Sequence, residues 1–201
     1  DTSFYTPTRS NADTESLTIG YFGTVGLANH LEYLLDVAEV CQNDSSIQFL
    51  VMGAGAQWDK VVKTANERGL SNIQFIKGGN KEEARNKLEA VDAVYVSFKN
   101  APILSSGSPN KFFDGLAAGK LIILNFEGWL KDEVKDARCG FSYDPETPGD
   151  FFSKINTLTN DLNLLSQMQS NANALSAKFS LERQLPILDE VIKKAGMSTG
   201  S

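Results

Sequence analysis

One stretch of the sequence combines residue types that bind anions. Residues 105–120 read SSGSPNKFFDGLAAGK, so small residues and one proline lead into an apolar-periodic segment that ends at a glycine. A helix that begins this way presents backbone amides at its positive end, and Lys111 would lie in its first turn. The same features also make an ordinary helix N-terminus. The stretch therefore raises an anion site as a hypothesis that the rest of the chain must support.

Three other glycine-rich segments follow apolar runs. They are YFGTVGLAN with Gly20, Gly23 and Gly26, MGAGAQW with Gly53 and Gly55, and IKGGNKEE with Gly78 and Gly79. Glycine lets a ligand approach the backbone closely, although for any single loop a tight turn is the more frequent reason for it. Because the carboxyl ends of parallel strands share one edge, four such loops together favour a ligand site.

The motifs of several enzyme classes are missing. The first glycine turn reads G-x-x-G-x-x-G, whereas dinucleotide-binding proteins need G-x-G-x-x-G, and Trp58 replaces the third glycine of the second turn. Gly53 stands where the acidic residue for NAD would be. No P-loop lysine, nucleophile elbow, metal cluster or set of nucleophile, base and orienting residue occurs. We therefore expect no cofactor and no metal, and either a binding function or catalytic residues elsewhere.

The composition limits the classes of partner that this chain is expected to bind. The 201 residues are 41% hydrophobic and 22% charged, which is typical of a soluble globular domain. The net charge of -6 with no basic cluster argues against a nucleic acid as main partner. No apolar run approaches the roughly 20 residues of a membrane span. Cys41 and Cys139 lack metal-type spacing and are expected to be reduced thiols in a cytosolic protein, and we expect the single histidine, His30, to be structural.

Short apolar runs alternate with helical patterns through most of the chain. Strands are predicted over 17–23, 47–53, 72–76, 92–98, 120–126 and 139–144, the last with the weakest pattern, and helices over 29–42, 58–70, 81–91, 109–118 and 128–137. Strands and helices that alternate at this spacing form right-handed crossovers. The pattern predicts an α/β fold, a Rossmann-like doubly wound parallel sheet of about six strands.

The two ends of the chain have a different character. Residues 1–16 are polar and aperiodic and are predicted to be a linker or disordered segment, so a fragment of a longer protein is a hypothesis. The domain is predicted over 17–194, with helices only over 148–194 and Pro186 as a kink or start signal. Residues 195–201 are predicted to be a loose tail.

The order of these motifs resembles the C-terminal, donor-binding half of a GT-B glycosyltransferase, and more closely the retaining family 4, or group 1, transferases. The matching segments are YFGTVG, IQFLVMGAGAQWDKV, NIQFIKGGNKEE, AVDAVYVSF, SPNKFFDGLAAGKLII and FSLERQL, which span roughly residues 17 to 194. The resemblance implies a nucleotide-sugar donor and a missing N-terminal acceptor domain of the same protein. It also implies that this chain is inactive alone.

The resemblance assigns roles around the opening stretch. In the family an E-x7-E element spans this loop and helix, and its second acid, which binds the nucleotide ribose, falls on Asp114. The first acid falls on Ser106, a departure from the pattern. Pro109-Asn110-Lys111 is similar to a P-S-K motif in relatives that build bacterial surface polysaccharides. The residues implied to hold the donor's diphosphate and sugar are Ser106, Gly107, Ser108, Asn110 and Lys111, with Lys111 stabilising the leaving group.

Further donor contacts are implied in the other loops. They are Gly23, Thr24 and Gly26 in the first, Gly53 in the second and Asn80 in the base-binding loop. Many relatives carry a basic pair where Thr24 and Asn29 stand here. Plainer interpretations remain open: Asn80 as a helix cap, Lys111 as a solvated lysine, and Asp114 as a first-turn acid that favours the helix dipole.

The expected function is thus a retaining hexosyl- or related transferase that moves a sugar from a nucleotide-sugar, with UDP expected, to a glycan or lipid-linked acceptor in polysaccharide synthesis. The alternatives are a non-catalytic nucleotide-binding module and a GT-B sugar-nucleotide epimerase. We expect a cytoplasmic location, at the inner face of the membrane if the missing half associates with it.

Overall fold

A computed structural model of the protein describes residues 4–5 and 16–198, in which the chain forms six strands and eight α-helices. The strands are β1 (Leu17–Thr24), β2 (Ile47–Ala54), β3 (Ile73–Lys77), β4 (Ala93–Val96), β5 (Leu121–Leu124) and β6 (Gly140–Ser142). The helices are α1 (Glu32–Cys41), α2 (Trp58–Glu67), α3 (Lys81–Ala90), α4 (Asn110–Ala117), α5 (Trp129–Ala137), α6 (Pro148–Asn160), α7 (Leu162–Ser176) and α8 (Leu181–Ser198).

All six strands pair in parallel, in the order β3-β2-β1-β4-β5-β6. This confirms the predicted doubly wound, Rossmann-like sheet. The chain order reverses between β1 and β4, which are neighbours at the centre of the sheet. Open α/β sheets bind ligands in the crevice that forms at the carboxyl ends of such a strand pair.

Helices cover both faces of the sheet, which explains why its central strands are apolar throughout. Every residue of β4 (AVYV) and β5 (LIIL) is buried. One buried cluster joins the sheet to α1, α2 and α6, and a second joins it to α3, α4, α5 and α7. We call the second layer the α4 side.

Helix α4 is fixed to the sheet by close packing. Phe112 and Leu116 are fully buried. A Cβ atom at Gly115 would lie 3.0 Å from Cδ1 of Ile122 and 3.1 Å from Cβ of Val94, so glycine lets this helix approach β4 and β5 closely. The helix ends at Ala117, close to the predicted end, and Gly119 follows with φ of 66°.

Buried polar side chains join the loops at the carboxyl ends of β1, β4 and β5. The Ser97 hydroxyl donates to the Asn29 carbonyl at 2.6 Å. The Asn125 side chain accepts from the Phe98 amide at 3.0 Å and donates to the Ser97 hydroxyl at 3.2 Å. These bonds hold three loops in one arrangement at the edge where the crevice opens.

Two local features differ from the sequence-based expectations. A 3-10 helix at Pro102–Ser106 precedes α4 and has no counterpart in the prediction. Helix α8 continues to Ser198, past the domain end predicted at residue 194, and ion pairs at i,i+4 spacing support its last turns: Lys193 with Asp189 and Lys194 with Glu190. Of the predicted linker at 1–16 and tail at 195–201, residues 1–3, 6–15 and 199–201 lie outside the described residues.

An apolar stripe on α8 faces solvent, and Pro186 lies within this helix. Leu181, Leu185, Leu188 and Ile192, spaced by three or four residues, are each more than half exposed. In the described structure the stripe is not packed on the sheet.

A substitution at Gly53 tests how closely the first and second glycine loops pack. A Cβ atom at this position would lie 1.9 Å from the carbonyl oxygen of Gly23 on the paired strand. We expect Gly53→Ala to lower the free energy of unfolding by about 1–3 kcal/mol in urea denaturation. The control is Gly149→Ala, because a Cβ there meets no atom within 4 Å. Equal stability of the two variants would contradict the packing described here.

Candidate functional site

Lys111 crosses the carboxyl end of β1, next to the crevice. Its Nζ lies 3.8 Å from the centroid of the Tyr21 ring, a cation–π contact. A Cβ atom at Gly23 would lie 3.7 Å from Cε of Lys111, so the side chain passes directly over this glycine. Tyr21 is fully buried and its hydroxyl donates to the Thr24 carbonyl, which fixes the ring as a floor under the ammonium.

Within the described residues, Lys111 forms no ion pair with a carboxylate. Burial lowers the pKa of its ammonium to about 7. An anion bound next to Nζ would reverse this effect, because an opposite charge favours the protonated form. The surroundings of Lys111 therefore suit phosphate binding.

The first turn of α4 adds backbone donors next to Lys111. Pro109 precedes the helix and no side chain caps it. The amides of the first helical residues have no partner within a helix. Those of Asn110 and Lys111 are therefore available to an anion, and the helix dipole adds positive potential at the same place.

Hydrogen bonds within the loop before α4 form a turn. The Gly107 amide donates to the Leu104 carbonyl at 3.0 Å, and the Ser106 hydroxyl donates to the Ile103 carbonyl at 3.0 Å. The resemblance implied that Ser106, Gly107 and Ser108 help to hold a diphosphate. The bond to Leu104 commits the Gly107 amide to the turn, so the donors that remain lie closer to α4.

Helix α5 holds this loop in place. The Trp129 indole N–H donates to the Gly107 carbonyl at 3.2 Å. Gly128 has φ of 130°, and a Cβ atom there would lie 2.1 Å from the Ser105 carbonyl oxygen. Only glycine permits this contact, since both the backbone conformation and the space exclude a side chain. The loop thus has a fixed position relative to the start of α4.

Asp114 lies three residues after Lys111 and on the same face of α4. Burial raises the pKa of its carboxyl group, while a hydrogen bond from the Tyr5 hydroxyl and the charge of Lys81 lower it. Lys81 is the first residue of α3. Because its charge acts on Asp114, the carboxylate lies near the start of that helix. A carboxylate in this position can accept hydrogen bonds from ligand hydroxyls.

Asn80 has a structural role at the start of α3. Its side chain accepts from the Glu83 amide at 2.9 Å, and its own amide donates to the Glu83 carboxylate at 3.0 Å. This is a capping box, the plainer of the two interpretations of Asn80. Contact of Asn80 with a nucleotide base stays a prediction.

The first glycine loop lies beside Lys111. Thr24 is exposed and accepts from Tyr21 through its carbonyl. The Gly26 carbonyl accepts from the Asn29 amide at 3.1 Å, which closes a turn. Gly53 lies behind Gly23 on the adjacent strand, so close packing alone accounts for a glycine there. The structure therefore brings Gly23 next to Lys111, and Thr24 and Gly26 follow in the same loop.

Three polar residues of this region were missed in the sequence. Tyr21 occurs in an apolar run and looks like core, and Ser97 and Asn125 directly follow the apolar strands β4 and β5. All three are buried and hydrogen-bonded through their hydroxyl or amide groups. A polar side chain in the last residues of a buried strand is the signal that identifies such positions, because a buried polar group needs a partner.

A polar cleft of about 390 Å³ lies further along the same edge, beyond β5 and β6. Asn125, Glu127, Lys131, Tyr143 and Asp144 are among its lining residues, and none of the predicted donor residues lines it. Glu127 forms an ion pair with Lys131 there. The cleft is separate from the Lys111 site.

Burial makes the two cysteines unreactive, since it raises the pKa of both the Cys41 and the Cys139 thiol to about 12. In the part of the chain that the structure describes, no cluster of His, Cys, Asp and Glu has the arrangement of a metal site. None of the helices described is long and apolar enough to cross a membrane.

The six-stranded parallel sheet with its C-terminal helices is the architecture of a GT-B C-terminal domain. LpcC from Francisella tularensis provides one example: its isolated C-terminal domain, from a group 1 glycosyltransferase, matches with a TM-score of 0.70 at 18% identity, over 90% of this chain and 98% of that one. The family model of glycosyl transferases group 1 matches residues 6–175. The chain therefore belongs to the group 1 glycosyltransferases. A search of curated proteins finds no significant match.

Longer proteins contain a domain of the same fold. HepE from Anabaena, in complex with UDP, matches with a TM-score of 0.75 at 18% identity, over 90% of this chain and 49% of HepE. Sucrose-phosphate synthase from Thermosynechococcus elongatus matches with a TM-score of 0.78 at 15% identity, over 95% of this chain and 50% of the synthase. At these identities the likeness establishes the fold. The chain spans about half the length of both enzymes.

The lowered pKa of Lys111 predicts a pH dependence of stability. Between about 7 and its usual 10.5, the folded state binds fewer protons at Lys111 than the unfolded state does. The free energy of unfolding therefore rises with pH in this window, because the unfolded state binds the additional proton. Urea denaturation at several pH values should show this rise relative to Lys111→Met, which lacks the titrating group. Parallel pH profiles for the two proteins would contradict the burial of a bare ammonium.

Proposed function

We propose that this chain is the donor-binding half of a retaining glycosyltransferase that uses a UDP-sugar. The observation that carries the proposal is the position of Lys111: its ammonium lies over Tyr21, beside Gly23 and the uncapped start of α4, with no ion pair among the described residues. This is a binding site for a phosphate group at the crevice between β1 and β4.

The spacing of Lys111 and Asp114 on α4 suits a ligand with a sugar next to its phosphates. Three residues of α-helix rise about 4.5 Å, so the two side chains leave the same face of the helix about one turn apart. Lys111 and the first amides of α4 would bind the diphosphate, and Asp114 would accept from the ribose hydroxyls. The base would then lie toward the start of α3, near Lys81.

Two observations support UDP as the nucleotide. HepE, which shares this fold, has been solved with UDP and with UDP-glucose. The resemblance of the donor loop to group 1 transferases points to the same class of donor. We assign the sugar no further than a hexose or related sugar, because Ser106 replaces the acid that group 1 enzymes place at the start of E-x7-E.

The chemistry of this half is leaving-group stabilisation. When a transferase retains the configuration of the sugar and has no enzyme base, departure of the diphosphate and attack by the acceptor occur on one face of the sugar. Negative charge then develops on the departing diphosphate, and preorganised donors at that position lower the barrier. Lys111 and the α4 amides would provide them.

We propose that the acceptor binds to a further domain of the full-length protein. Such an acceptor would be a glycan or lipid-linked sugar in polysaccharide synthesis, in the cytoplasm or at the inner face of its membrane. The chain spans about half of HepE, which leaves room for such a domain.

Two substitutions distinguish the ribose from the phosphate contact. We expect Asp114→Ala to weaken binding of both UDP and uridine by roughly 1–3 kcal/mol, since both ligands carry the ribose. We expect Lys111→Gln to weaken binding of UDP and to leave uridine binding nearly unchanged, because the partner of Lys111 is phosphate. Isothermal titration calorimetry with both ligands measures the four changes.

Matched controls are Asp132→Ala, which removes an exposed first-turn acid of α5, and Lys135→Gln, which removes an exposed lysine of the same helix. Neither should change UDP binding. Unchanged UDP affinity in the Asp114 variant, or equal losses for both ligands in the Lys111 variant, would contradict the corresponding role.

A further inference from the structure

Phe4 and Tyr5 lie against the site, although they are far from it in sequence. The Phe4 ring centroid is 4.4 Å from Nζ of Lys81 and 5.2 Å from Cζ of Arg85, both on α3. The rings of Phe4 and Tyr5 meet edge to face at 5.1 Å. Tyr5 also packs against the buried cluster of the α4 side. Contacts with two sides thus fix the position of the Tyr5 ring.

The Tyr5 hydroxyl donates a hydrogen bond to the carboxylate of Asp114. Burial, together with the nearby Asp114 charge, raises the pKa of this phenol, so it keeps its proton and acts as a donor. A phenol donates one hydrogen bond, whereas a carboxylate accepts about four. The bond therefore leaves most of the acceptor capacity of Asp114 for a ligand.

We propose that Tyr5 is a positioning residue for the nucleoside end of the donor site. Its hydroxyl holds the Asp114 carboxylate in the orientation that accepts from the two ribose hydroxyls. This inference rests on the proposed function, because it assumes that Asp114 binds a ribose. Phe4 contributes through its ring contacts with Lys81 and Arg85, which anchor Phe4 and Tyr5 to α3.

The test uses the 201-residue chain and two ligands that differ only at the ribose, UDP and 2′,3′-dideoxy-UDP. Tyr5→Phe removes the hydroxyl and keeps the ring. We expect it to weaken UDP binding roughly threefold to tenfold, the range for one hydrogen bond. Binding of the dideoxy nucleotide should stay within about twofold of the parent, since it lacks the hydroxyls that Asp114 would accept. A role confined to folding would affect both ligands alike.

Two further variants distinguish the role of the Tyr5 hydroxyl from the packing of its ring, and test whether the hydroxyl acts through Asp114. Tyr5→Ala removes the packing as well, so its thermal midpoint should fall below that of Tyr5→Phe. In an Asp114→Asn background, Tyr5→Phe should cause no further loss of UDP affinity, because the carboxylate that it positions is gone.

Each other outcome has a definite meaning. Unchanged UDP affinity in Tyr5→Phe overturns the positioning role, and so do equal losses for both nucleotides. Tighter UDP binding overturns it too, because the hydroxyl would then compete with the ribose. If the unsubstituted chain binds neither UDP nor the dideoxy nucleotide, the proposed function fails and this inference fails with it. That failure appears in the unsubstituted chain, whereas the outcomes that overturn only the role of Tyr5 appear in the Tyr5→Phe variant.

Discussion

The close approach of α4 to the sheet determines where the candidate site can form. Gly115 lets the helix pack against Val94 and Ile122, and the buried Phe112 fixes its rotation. With that contact made, the first turn of α4 lies at the crevice between β1 and β4, and Lys111 reaches Tyr21. A longer distance between helix and sheet would separate the ammonium from the β1 loop. Packing in the core thus sets the geometry of the charged groups.

The site combines this rigid support with a lysine, Lys111, whose burial disfavours its positive charge. Buried polar bonds through Ser97 and Asn125 join the loops around the crevice, and Trp129 holds the loop before α4. Lys111, by contrast, gains only a ring contact, and both its burial and the positive end of α4 oppose its charge. Proteins tolerate such local cost where it serves binding. A rigid site whose buried ammonium forms no ion pair among the described residues fits a phosphate ligand.

The sequence predicted the architecture well because its signals are local. Apolar runs that alternate with helical periods identified about six strands and their parallel pairing, and the order of the motifs identified the family. The 3-10 helix at Pro102–Ser106 was missed, since its bonds depend on a turn without apolar periodicity. Tyr21 as the floor under Lys111, and the contact of Tyr5 with Asp114, join residues distant in sequence. No local pattern contains that information.

The central claim is that a nucleotide binds at the start of α4, and mapping of backbone amides tests it most directly. In ¹H–¹⁵N correlation spectra of this 21.9 kDa chain, we expect added UDP to shift the amide signals of Gly23, Asn110, Lys111 and Asp114. A saturating titration in which these signals stay fixed, while those of Asn125, Glu127 and Asp144 around the polar cleft move, would contradict the account.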